Sequence, residues 1–66
     1  MTFAENLKLL RHSKELGQQR LADILNISAK TVSHWETGYT EPSISQLIHL
    51  AELFDVSIDE LVGRIN

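Results

Sequence analysis

Three times in this 66-residue chain a Ser or Thr stands three places ahead of a Glu or Gln and opens a run of apolar residues. The pairs are Thr2 with Glu5, Ser43 with Gln46, and Ser57 with Glu60. In such a capping box the hydroxyl accepts the backbone N–H three residues on, while the longer side chain reaches back to the N–H of the cap itself. Each pair therefore marks the start of a helix. The apolar residues that follow recur at the three- and four-residue spacing of one helical face: Phe3, Leu7 and Leu10 with Leu9 beside them, then Ile44, Leu47, Leu50, Ala51 and Phe54, then Ile58, Leu61, Val62 and Ile65. No strand alternation, internal repeat or low-complexity tract interrupts them.

The middle of the chain supplies two more short helices. The first helix runs from about residue 3 to 14, and Gly17 allows the break after it. Leu21, Ala22, Ile24 and Leu25 share one side of a second helix that starts near Gln18 and stops at Asn26, a residue type that tolerates left-handed backbone angles. Ser28 suits the N-cap of a third helix, from Ala29 to about Glu36, which ends before Gly38, and Pro42 closes the loop beyond it. The expectation is an all-α fold of five short helices in a single domain spanning residues 1–66.

A chain of this size buries only about 60% of its unfolded surface. It has no cysteine, so neither a disulfide framework nor a thiolate zinc site supports the core. No apolar run approaches the ~20 residues of a membrane span, and MTFAENLKLLRHSK is too interspersed with charge for a signal segment. A cytoplasmic protein with no membrane partner is expected.

The third helix poses the functional question. Residues 28–36 read SAKTVSHWE and hold only two large apolar side chains, Val32 and Trp35. A helix in a small domain ordinarily buries a stripe about 100° wide, with three or four apolar residues every two turns. Ala29, Lys30, Thr31, Ser33 and His34 remain, short or polar groups unlike the Glu/Lys mixture of a solvated face. Two short helices joined by the three residues Asn26-Ile27-Ser28, with small Ala22 where their backbones approach, have the form of a helix-turn-helix. In that unit the second helix is held by its inward residues and offers the rest of its circumference to a DNA major groove.

The ordered segments LKLLR at 7–11, Gln18 followed by Leu21-Ala22, NIS-x-x-TVS-x-WE-x-G, Pro42-Ser43 and LAELFDVSIDELVG at 50–63 resemble the Cro and phage-repressor type of helix-turn-helix, the xenobiotic-response-element family. The resemblance implies a five-helix, lambda-repressor-like domain that binds double-stranded DNA as a homodimer and regulates transcription, more often as a repressor. It implies base contacts from Ala29, Lys30, Thr31, Ser33 and His34. Lys30 has donors for guanine, His34 can donate or accept at a base edge, and the Ala29 methyl suits thymine. It implies phosphate contacts from Gly17 and Gln18 at the start of the second helix and from Tyr39, Thr40 and Ser43 in the second clamp. It pairs Arg11 with Glu36 across the first and third helices, and makes Trp35 a core anchor. The fifth helix, through Ile58, Val62 and Ile65 with Leu53 nearby, is the expected dimer interface. Three departures stand out: Gly17 in place of a Ser/Thr cap, Asn26 in place of a turn glycine, and Glu41 in a loop that often carries a base.

Charge leaves a second reading open. The net charge is −3, divided as +1 over residues 1–40 and −4 over residues 41–66. An acidic chain has a weak electrostatic footprint for a polyanion, which keeps a helical protein-interaction module, antitoxin- or adaptor-like, with weak or secondary DNA binding, as the alternative. Catalysis finds no support. His34 and Glu36 stand two apart on a helix and cannot converge on one ion, and neither a phosphate-cradling loop nor a nucleophile motif is present. No cofactor, metal or small-molecule ligand is expected, and RNA-binding signatures are lacking.

Overall fold

A computed structural model describes residues 2–63. They form α1 (Phe3–Ser13), α2 (Gln18–Leu25), α3 (Ala29–Thr37), α4 (Ile44–Phe54) and α5 (Ile58–Val62), with no strand among the described residues. All three capping boxes are made, at Thr2, Ser43 and Ser57, and the Ser28 hydroxyl accepts the Thr31 N–H at the start of α3. Asn26 ends α2 in the left-handed conformation, φ 58°, and Gly38 ends α3 at φ 80°.

The core holds Leu7 of α1, Leu21 and Ala22 of α2, Val32 and Trp35 of α3, Leu50, Ala51 and Phe54 of α4, and Leu61 of α5. α3 packs on α1 and α2, while α5 packs on both α1 and α4. α5, only five residues long, is tied down by α1, because the Asn6 amide donates to the carbonyls of Glu60 and Leu61, each at 3.2 Å. The Glu60 carbonyl also accepts the Gly63 N–H at 3.2 Å, so the Asn6 amide adds a further donor at this helix C-terminus and anchors a helix too short to bury a long apolar stripe.

The break between α1 and α2 is built differently from the expectation. Gly17 sits at φ −75°, ψ 166°, extended backbone open to any residue, with free space around its Cα. The left-handed residue is Glu15, at φ 55°. A side chain with a Cβ pays about 1–2 kcal/mol in that region, where glycine pays almost nothing. Allowing for the greater freedom glycine gives the unfolded chain, Glu15→Gly should stabilise the protein by roughly 0.5–1 kcal/mol and raise its melting temperature by a few degrees. Calorimetry showing a lower melting temperature would reject this account of the turn.

Candidate nucleic-acid interface

α3 presents the two faces that its composition requires. Val32 is fully buried and Trp35 is 2% exposed, on the seam against α1 and α2. Lys30 is exposed, whereas Thr31, Ser33 and His34 are half-buried along the flanks. Ala29 packs partly against the core, so only part of its methyl is open. Thr31 Oγ1 lies 2.9 Å from Ser28 Oγ, which ties its hydroxyl to the cap.

The far end of α3 is held by a polar network. Arg11 forks onto Glu36, with Nε donating to Oε2 at 2.6 Å and Nη2 to Oε1 at 3.0 Å, and its Nη1 donates to the Leu16 carbonyl at 2.8 Å. Gln18 Nε2 donates to Glu36 Oε1 at 3.0 Å. The two charged side chains are 8% and 3% exposed. Burial pushes the Glu36 carboxyl upward, but hydrogen bonds from Arg11 and Gln18 and the positive charges of Arg11 and Lys8 outweigh it and hold the group below the ordinary carboxylate range. One network thus joins α1, the α1–α2 turn, α2 and α3. The part played by Gln18 was not foreseen from the sequence. The available signal was that a carboxylate with about four acceptor sites needs more donors than one arginine provides.

The residues expected at phosphates fall into two groups. Gly17 and Gln18 open α2, where no side chain caps the first N–H groups. Tyr39, Thr40 and Ser43 follow α3. Tyr39 is 76% exposed, with its ring centroid 4.8 Å from that of His34. The N–H groups of Tyr39 and Thr40 both reach the His34 carbonyl, at 2.9 and 3.4 Å. The Ser43 hydroxyl accepts the Gln46 N–H at 3.2 Å, so it already serves as the cap of α4. The expected interface residues are more scattered. Leu53 packs partly against the core, Ile58 is 40% exposed, and Val62 lines a groove with Phe3, Pro42 and Leu47. Ile65 lies outside the described residues. Exposed Ile44 and Ile48, one turn apart on α4, were not foreseen as a surface feature. Among the described residues no group of three or more His, Asp or Glu is placed to hold a metal ion.

Residues 7–61 match the model of a helix-turn-helix family. The chain belongs to that family. Within it, the chain is 43% identical to the HTH-type transcriptional regulator AnsR of Bacillus subtilis over 60 residues, which is 91% of this chain and 52% of AnsR. A transcriptional regulator of Listeria innocua superposes with a TM-score of 0.92 at 43% identity, over 98% of this chain and 61% of that one. The P22 c2 repressor, solved in complex with a synthetic operator, superposes with a TM-score of 0.90 at 25% identity, over 98% of each chain. The chain therefore spans about half the length of the AnsR relative and nearly all of the P22 c2 chain. The relatives named are transcriptional regulators and a repressor, not enzymes.

In this helix-turn-helix the Arg11–Glu36 pair sets a measurable dependence on acid. A carboxyl whose folded pKa is depressed contributes stability above its unfolded value, about 4.3, and loses it as pH falls through the folded value. Urea unfolding should therefore show wild-type stability falling below about pH 4.5 more steeply than that of Glu36→Gln. At neutral pH, Glu36→Ala should cost about 3–5 kcal/mol, because Arg11 is left charged in a buried place. A double-mutant cycle with no coupling between positions 11 and 36, or equal acid slopes, contradicts the network.

Proposed function

We propose that this protein binds duplex DNA in the cytoplasm as a homodimer, with α3 in the major groove, and represses transcription without catalysing a reaction. The observation that carries the reading is the superposition on the operator-bound P22 c2 repressor over 98% of both chains, combined with an α3 whose outward face is polar, with Lys30 exposed and Ser33 and His34 partly so. Lys30, Ser33 and His34 read base edges, with Ala29 and Thr31 at the margin because each is partly engaged within the protein. Gln18 reaches a phosphate with the N–H that it does not give to Glu36, together with the free N–H groups opening α2. Tyr39 and Thr40 hold the backbone on the other side of α3, assisted by the start of α4 at Ser43.

Selection from random oligonucleotides should return an inverted repeat with half-sites roughly 10 bp, about 34 Å, apart. Lys30→Ala and His34→Ala should each relax particular positions of that repeat at a cost of about 1–3 kcal/mol. Gln18→Ala should weaken all sequences alike and leave the salt dependence unchanged, since a neutral amide releases no counterion. Folded protein that enriches no motif at low salt would falsify the reading.

The homodimer rests on α5. Ile58 is the most open of its apolar residues, with exposed Glu52, Asp55, Asp59 and Glu60 around the end of α4 and the start of α5. Two copies meeting there bring like charges together, and salt screens that repulsion. Sedimentation should show a dimer that tightens as salt rises, opposite to the salt dependence of DNA binding, and that Ile58→Glu dissociates. A wild-type monomer at every salt concentration contradicts the dimer.

The protein-interaction reading draws on Ile44 and Ile48, 76% and 41% exposed on α4. A gel shift with mixed genomic fragments separates the two readings, because an interaction module with weak or secondary DNA binding retards duplex weakly and without preference among sequences.

A further inference from the structure

We propose that Tyr39 is a positioning residue for base selectivity, holding the His34 ring in the orientation that reads its base pair; this rests on the reading that His34 contacts a base. The geometry begins with the backbone. Gly38, at φ 80°, ends α3 in a left-handed turn in which the Tyr39 N–H reaches the His34 carbonyl at 2.9 Å and the Gly38 N–H reaches that of Trp35 at 3.3 Å. This is the Schellman closure, in which the residue after the turn meets the one five places earlier, side chain against side chain. Here those two side chains are Tyr39 and His34, with ring centroids 4.8 Å apart and planes tilted by 60°. The spacing and tilt are those of a favourable aromatic pair.

An ordinary aliphatic residue would seal the turn equally well. Tyr39 instead leaves 76% of its surface open, so burial does not account for a side chain of this size. The ring provides a wall. A half-exposed histidine on a helix otherwise exchanges among staggered rotamers on the fast timescale of surface side chains. The wall selects one of them before DNA arrives. The His34 carbonyl also accepts the Thr37 hydroxyl at 3.2 Å, which fixes the turn that carries the wall.

Tyr39 thus has two separable parts. Its hydroxyl serves the phosphate backbone, which every sequence presents, whereas its ring serves discrimination through His34. If the two χ1 rotamers that a helix allows became equally accessible, the productive one would be about half populated, and affinity for the preferred base pair would fall roughly twofold with no change for the others.

The test uses Tyr39→Phe, which keeps the ring, and Tyr39→Leu, which keeps an apolar seal but loses the ring. In the free protein, χ1 couplings of His34 should report one rotamer in wild type and Tyr39→Phe, and averaging in Tyr39→Leu. In binding selections, Tyr39→Phe should lose affinity evenly, while Tyr39→Leu should lose about twofold in preference at the same base pair that His34→Ala relaxes. Helix content and melting temperature close to wild type confirm that the end of α3 is intact. An averaged His34 in wild type overturns the proposal, as does an unchanged preference in Tyr39→Leu where His34→Ala relaxes one. If His34→Ala relaxes no position, the reading of His34 itself fails and the proposal falls with it, a result distinct from the other two.

Discussion

Glu36 ends the outward-facing helix with a carboxylate that is only 3% exposed, a place where a charge is costly unless its oxygens are used. Arg11 takes both oxygens in a fork and Gln18 shares one of them. Because this network grips α3 at its C-terminal end, Val32 and Trp35 suffice as the apolar seam. A helix held by packing alone would need a wider stripe, and that stripe would consume the face left for a ligand. A well-packed apolar pair often matches a buried ion pair in stability. It would leave Gln18 without its acceptor, so the specific gain from Glu36 is position: the start of α2 and the end of α3 are referred to one carboxylate.

The same arrangement explains how an acidic chain can approach a polyanion. The carboxylate at the C-terminal end of α3 is neutralised by Arg11, so it adds little repulsion there. The excess negative charge lies in residues 41–66, at a net −4; its exposed members at positions 52, 55, 59 and 60 belong to α4, α5 and their junction, while exposed Glu41 stands in the loop between Thr40 and Ser43 and opposes phosphate binding there. On the proposed reading, contacts to phosphate come mainly from neutral donors, which are strong at short range and contribute little long-range steering. Such a surface relies on fit more than on attraction.

Local signals were the legible ones. The three capping boxes, the Ser28 cap and the left-handed Asn26 each involve residues within a few places of one another, and sequence spacing states such relations directly. The Arg11–Glu36 contact spans 25 residues and was reached through family resemblance, not through spacing. Gln18 on Glu36 and Asn6 on the end of α5 span 18 and about 55 residues, and were missed because nothing in the local pattern assigns a polar side chain to a distant carbonyl or carboxylate. Glu15 was missed for a different reason. A glycine two places away looked like the flexible residue, yet the turn geometry put the positive φ on the glutamate. At the candidate interface the sequence singles out the residues of α3 as a polar set, while their engagements, Thr31 with Ser28 and His34 with Tyr39, became visible only with side chains in place.

On the proposed reading the outward face of α3, fixed by the buried network, is the surface that meets base edges. Intermolecular NOEs between the labelled protein and a bound duplex test it most directly. Contacts are expected from Lys30, Ser33 and His34 to major-groove protons, the cytosine H5 and the thymine methyl, with no base contacts from α4 or α5. Base-proton NOEs that arise instead from Ile44, Ile48 or Ile58, with α3 silent, would contradict it.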